Sequence, residues 1–179
     1  VSNQLVWQGG VMISPQIDRV YQAKTPYVGN APAVGRVVSV ARFNLWGDYT
    51  MELQTSAQPY RLTLRYSSSF TPEGMESGTK DIFQDMAATL VAIGNLDEIE
   101  CAFQGGNDQS WSYVLTVEEL NQALPQIVSA YNERFLNQKD CPLYASVKDY
   151  GDSCADLDQL YDAMWWAIEL GAYTPQVQS

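Results

Sequence analysis

The chain has 179 residues, 10 of them basic and 21 acidic, giving a formal net charge of -11, and it contains no histidine. A surplus of that sign repels phosphate backbones and anionic bilayers, so nucleic-acid binding is not expected. The lack of histidine removes Ser-His-Asp and Cys-His catalysis, His-ligated zinc and a His-based pH switch.

Hydrophobic residues make up 46% and aromatics 12%, a globular composition. A chain of this length buries roughly 70% of its unfolded surface and needs neither metal nor disulfide to fold. It is read as a single domain, 1–179. No run approaches the roughly 18 to 20 apolar residues of a membrane helix, so this segment is not expected to insert in a bilayer. The opening "VSNQLVW" has no starting Met and reads as a processed end, with any leader or anchor outside this chain.

In chain order, "VSNQLVWQGGVMI" is short and Gly-broken, an extra edge strand or an ordered arm. "SPQIDRVYQA" reads as a helix, with Ser14 as N-cap, Pro15 at the first position and Ile17, Val20 and Tyr21 on one side. "AKTPYVGNAP" follows, and Asn30 caps a second helix striped by Val34, Val37, Val38 and Ala41. "YTMELQT" and "YRLTLRYS" alternate with period two and form a hairpin through "SAQP". Tyr49, Met51, Leu53, Tyr60, Leu62, Leu64 and Tyr66 face inward, while Thr50, Glu52, Gln54, Arg61, Thr63 and Arg65 face outward. "KDIFQDMAATLVAIG" is an amphipathic helix whose Ile82, Phe83, Met86, Leu90 and Ile93 share one side, with Gly94 as its C-terminal stop. "EIECAFQ" and "WSYVLTV" form the second hairpin, turning at residues 105–108, with Glu98 and Glu100 outward. Thr116 and Glu119 make a capping box for a helix that Pro125 either kinks or divides. The last helix, striped by Leu157, Leu160, Tyr161, Met164 and Ile168, ends the pattern. The expected fold is α+β: a four-stranded, mostly antiparallel sheet with a ββαββ core, helices packed on one face, and extra N- and C-terminal helices.

Cys101 alternates with Ile99 and Phe103 and reads as core. Cys141 and Cys154 flank a loop and stand open between a disulfide, in a secreted protein, and two free thiols. The cysteines have no metal-type spacing, and no cofactor is implied.

The residues of "AKTPYVGNAP" admit two readings. As a ligand loop, Lys24 clamps a carboxylate, Thr25 donates a hydrogen bond, Tyr27 stacks on a ring and Asn30 adds an amide. As structure, Pro26 holds Thr25 extended, Gly29 takes a left-handed turn, Asn30 caps the helix, and Tyr27 with Val28 plugs the core edge. On the sheet's outer face, Arg61 and Arg65 either form cross-strand ion pairs or a recognition surface. Of the adjacent tryptophans, Trp165 fits the core, and Trp166 is a surface anchor or lies beneath the loop before it. A carboxylate-based hydrolase is the third alternative and has no supporting pattern.

The runs "VYQAKTPYVGNAPAVGRVVSVARF", "YTMELQTSAQPYRLTLRYS", "MAATLVAIGNLDEIECAF" and "YVLTVEELNQAL" resemble domain of unknown function 4825. The resemblance covers about 15–124, leaving about 125–179 as a C-terminal helical extension. It implies an extracytoplasmic Firmicutes protein, secreted or membrane-anchored, of a kind also fused to metallopeptidases of the beta-lactam-sensing type. It carries no catalytic residues, and the peptidase activity of the fused relatives requires histidine that this chain lacks. The expected function is a non-enzymatic sensor or ligand-binding module at the Gram-positive cell surface. The alternative is a protein–protein interaction module regulating a membrane partner. The expected partner is accordingly a small molecule or a cell-envelope protein.

Overall fold

A computed structural model describes residues 6–8 and 11–179 of the chain. Strands β1 (Val6–Gln8) and β2 (Val11–Ile13) pair antiparallel as a separate two-stranded ribbon. The described residues of the opening stretch therefore pair with each other and not with the main sheet. Ser14 accepts from the Ile17 amide at 3.2 Å and starts α1 (Pro15–Gln22). Asn30 accepts from the Ala33 amide at 3.2 Å and starts α2 (Ala31–Val40). Both caps satisfy amides that a helix leaves unpaired at its first turn.

The main sheet contains β3 (Tyr49–Gln54), β4 (Arg61–Ser69), β5 (Glu98–Gln104), β6 (Ser110–Thr116) and β7 (Val177–Gln178), in that order. It has five strands rather than the expected four, because the C-terminal residues return beside β6, Ser112 opposite Gln178 and Tyr113 opposite Val177. Two residues are too few to show a period. The sheet is antiparallel except between β4 and β5, which are parallel. That exception follows from α3 (Thr79–Ala92), the crossover that returns the chain to the same end of the sheet.

α3 departs from its expected one-sided pattern, since every residue from Ile82 to Ala92 is buried. Its sheet side is packed, with the rings of Phe83 and Tyr113 meeting edge-on at 5.1 Å. Its far side is covered by α5 (Cys154–Glu169) and by the 3-10 segment Val147–Asp152. Leu157, Leu160, Ala163, Met164 and Ala167 of α5 are buried within the same core cluster. The C-terminal helices thus supply the outer wall of the core. α4 (Val117–Arg134) runs through Pro125 as one helix, starting where Thr116 accepts the Glu119 amide at 3.0 Å.

Outside the sheet, Arg61 pairs with Glu98, and Arg65 Nε lies 2.8 Å from Glu52 Oε1. Thr63, expected to face water, is buried on a strand flanked on both sides by β3 and β5. The tryptophans also depart from expectation. Trp166 packs against the core edge, edge-on to Phe135 at 5.2 Å and under the Arg134 guanidinium. Trp165 is half-buried at the rim, donating to Asp81 at 3.1 Å. Cys101 is buried as expected, whereas Cys141 and Cys154 are separate free thiols. Cys141 is tied to Asn132 by two hydrogen bonds of 2.7 and 3.0 Å, while Cys154 begins α5 elsewhere. Burial pushes their thiols up to about 12 and about 11 respectively, which keeps both protonated.

Two glycines separate close packing from intrinsic propensity. A Cβ on Gly78, at the entry to α3, would lie 2.3 Å from the Trp46 ring, whereas one on Gly35 in α2 meets nothing within 4 Å. Gly78→Ala should therefore lose about 1–3 kcal/mol and Gly35→Ala should gain about 0.5–1 kcal/mol. Urea unfolding of both variants against the parent checks the pair, and equal effects would contradict it.

Candidate functional site

The stretch singled out in sequence, "KTPYVGN", docks on the C-terminal end of α3. The Thr25 amide donates to the Ala92 carbonyl at 2.9 Å, and the Gly94 amide donates to the Thr25 carbonyl at 2.8 Å. The Asn95 amide reaches the Pro26 carbonyl at 3.1 Å, and Asn95 Oδ1 accepts the Val28 amide at 2.7 Å. This makes a short parallel bridge between Thr25 and Ile93, with Pro26 restricting Thr25 to the extended backbone that the bridge requires. Gly94 is needed for a reason other than helix termination. Its φ is not positive, and a Cβ there would sit 3.0 Å from the Pro26 carbonyl oxygen. Gly29 likewise does not take the expected left-handed conformation.

Side chains of the run point in different directions. Lys24 Nζ donates to the Gly151 carbonyl at 2.6 Å and lies 4.1 Å from the centre of the Tyr21 ring. Asn30 is occupied as the cap of α2. Val28 is buried, but Tyr27 is 66% exposed and plugs nothing. Thr25 is buried against α3. The structure brings Lys24 and Thr25 into one pocket and leaves Tyr27 and Asn30 outside it.

That pocket, 370 Å³, has a residue on its wall that the sequence did not signal, Lys148. Its ammonium donates to the carbonyls of Ile93 at 2.9 Å, Leu96 at 2.7 Å and Leu90. A helix leaves its last carbonyls unpaired and carries partial negative charge at that end, so the cation satisfies both deficits. Burial lowers the Lys148 pKa to about 8, and the negative charge of Asp97 opposes the shift.

A cleft of 760 Å³ is lined in part by Asp97, at the far end of the Ile93–Asp97 segment. Asp97 and Glu98 from the start of β5, Glu118, Asn121 and Gln122 from the first turns of α4, and Gln58 from the β3–β4 loop line it. Asp97 Oδ2 accepts the Tyr60 amide at 2.7 Å, and Asn121 Oδ1 accepts the Val147 amide at 2.7 Å. Glu98 is held by Arg61 at the rim, while Glu118 and Gln122 are exposed. The lining therefore combines carboxylates with side-chain amides on rigid elements, a set suited to donor-rich, positively charged ligands. Arg65 and Trp166 do not line this cleft or the Lys24 pocket. Asp97, Glu118, Asn121 and Lys148 are the residues that sequence reasoning passed over. They come from separate segments, and only the Thr116–Glu119 cap marked one edge of the site.

The family described as Domain of unknown function (DUF4825) matches residues 20–116. The chain belongs to this family. The DUF4825 match runs from within α1 to the end of β6, so it contains the Thr25–Ile93 bridge, α3 and both hairpins, and leaves α4, α5 and β7 outside. Lys24, Thr25, Asp97 and Glu98 lie inside the DUF4825 region, whereas Glu118, Asn121 and Lys148 lie beyond it. No curated protein and no solved structure matches the chain.

Removing the Lys148 ammonium while keeping its stem, as Lys148→Met, should cost about 2–3 kcal/mol because the buried Leu90 and Leu96 carbonyls lose their donor and the Ile93 carbonyl keeps only the Leu96 amide. Chemical denaturation at neutral pH reads the change. A loss below about 0.5 kcal/mol would show that the cation is dispensable for capping α3.

Proposed function

We propose that this DUF4825 chain is a non-enzymatic ligand-binding module acting outside the cell membrane at the Gram-positive surface, secreted or anchored through a segment beyond this chain. The observation that carries the binding role is the 760 Å³ cleft, where side-chain carboxylates and amides from three elements converge. Its chemistry favours a cationic, hydrogen-bonding ligand such as a peptide or amino-bearing cell-wall fragment. The extracytoplasmic placement rests on the resemblance to Firmicutes proteins carried by the "KTPYVGN" run and the paired hairpins. The non-enzymatic assignment is supported by the histidine-free sequence and by the prior engagement of Asp97 and Glu98 with Tyr60 and Arg61.

A thermal-shift series with lysine-containing dipeptides, acidic dipeptides and cell-wall peptides tests this reading. A ligand at 100 times its dissociation constant adds about 2.7 kcal/mol and should raise the midpoint by about 5–10 °C. The shift should be largest for the basic peptides and fall in Glu118→Gln while surviving in Lys24→Ala. A shift lost only in Lys24→Ala would move the site to the smaller pocket, and no shift with any probe would reject the reading.

A second reading, an interaction module that regulates a membrane partner, is favoured by an edge of the main sheet that no described strand covers. β3 is six residues long, pairs among the described residues with β4 on one side only, and contains neither Lys nor Pro. Its inward residues Tyr49, Met51 and Leu53 are half-buried, so an added strand would cover apolar surface as well as backbone groups. The opposite edge is occupied by β7. If β3 receives a partner strand, Met51→Lys should abolish complex formation in size-exclusion light scattering without lowering the midpoint of unfolding. Retained binding would eliminate this reading.

A further inference from the structure

The middle of α3 carries a carboxylic acid within the core. Asp85 is 1% exposed. Its Oδ1 accepts the hydroxyl of Tyr161 on α5 at 2.9 Å, and that hydroxyl accepts Nη2 of Arg42 at 3.0 Å. Asp85 Oδ2 has no hydrogen-bond partner among the described residues. Arg42 lies at the surface with φ 65, and it links α2 to the 3-10 turn Phe43–Trp46. That turn carries Leu45, which is 61% exposed. A three-residue chain therefore runs from the core to the surface and ties α3, α5 and the turn together. Gln84, beside Asp85 in sequence, fastens the same seam by donating to the Tyr161 carbonyl at 2.8 Å.

We propose that Asp85, Tyr161 and Arg42 form a proton-operated latch, closed while Asp85 holds its proton and loosened when that proton is lost. A neutral acid tolerates one unpaired oxygen at the cost of a single hydrogen bond, whereas a carboxylate would concentrate charge where nothing solvates it. Arg42 is the cation closest to hand, but the Tyr161 hydroxyl stands between the two. Relief comes from drawing the guanidinium inward or from admitting water. Either path breaks the Arg42–Tyr161 bond and strains the α3–α5 seam, with the Phe43–Trp46 turn moving in concert.

The groups facing Asp85 leave it as the titrating member. Burial raises Asp85 to about 7, the Tyr161 hydrogen bond and Arg42 oppose that rise, and Asp81 on the same helix reinforces it. From α5, burial and the Asp85 charge push Tyr161 further up. From β4, Tyr66 is raised by burial and its hydroxyl is committed to the Phe43 carbonyl at 2.8 Å. From β5, the Cys101 thiol is raised well above its ordinary value by burial. Arg42 stays charged throughout, raised by its contacts with Tyr161 and Asp85 against the opposing effect of burial. Asp81 is engaged by the Trp165 indole at 3.1 Å.

The folded-state pKa lies above the unfolded one, so the stabilisation is complete below about pH 4 and is lost as pH rises through about 7. The full span from 3.8 to about 7 limits the change to about a thousandfold in the folded-to-unfolded ratio.

Carbon-13 NMR of the aspartate carboxyls, with amide hydrogen exchange corrected for intrinsic rates, tests the latch on the full chain between pH 4.5 and 8.5. Asp85 should titrate near 7, and protection in residues 41–46, α3 and α5 should fall at least about tenfold from pH 5.5 to 8. Asp85→Asn should remove that dependence and unfold at higher denaturant than the parent at pH 8. Tyr161→Phe, which removes the intermediary hydroxyl, should move the transition to higher pH and serves if the Asn variant fails to fold. An Asp85 carboxyl titrating below 5, or pH-dependent protection unchanged in the folded variant, would overturn the latch.

Discussion

The architecture depends on how one helix ends. α3 is enclosed on all sides, so the carbonyls at its C-terminus cannot turn to water for hydrogen bonds. They are met from two directions, by the Thr25 amide from the segment before α2 and by the Lys148 ammonium from the segment before α5. Both donors come from far along the chain, so satisfying one helix end joins the N-terminal helices, the sheet and the C-terminal layer. The close approach of Pro26 to Gly94 is the steric counterpart of the same junction.

The same junction creates the surface relief from which a function is read. Where the Ile93–Asp97 segment leaves α3 for β5, its Gly94 lines a small pocket with Lys24 and Lys148, and its Asp97 lines a larger cleft with Glu98 and Glu118. The lysines are largely committed to main-chain carbonyls, so the basic side acts as a structural clamp. The acidic side retains exposed groups on α4, and the chain's net charge of -11 adds a field of the same sign. This contrast places the ligand proposal on the cleft rather than on the loop that was conspicuous in sequence.

The conspicuous loop shows why motif reading reached only part of the site. Lys24, Thr25, Pro26 and Asn30 each have chemistry compatible with ligand contact and with chain geometry. Local sequence cannot separate those uses because the deciding partners, Gly151, Ala92, Gly94 and Ala33, are mostly distant. Asn30 was legible because its partner is three residues away. Lys148 was not, since an isolated lysine in a Tyr- and Gly-containing segment carries no periodic or spacing signal. Asp85 was hidden differently: one acidic residue on a helix is ordinarily assigned to the wet face, and from Ile82 to Ala92 α3 has none.

Sequence alone determined the helix caps at Ser14, Asn30 and Thr116, both hairpins, the ββαββ order and the buried nature of Cys101. All of these rest on interactions within a few residues or on the period-two and 3.6-residue repeats. Tertiary structure decided the fifth strand, the all-round burial of α3, the separation of Cys141 from Cys154, and the positions of Trp165 and Trp166. It also decided which charged groups are engaged and which line a cleft. Those outcomes depend on what a second layer of helices covers, and that is a property of packing between distant segments with no local pattern to announce it.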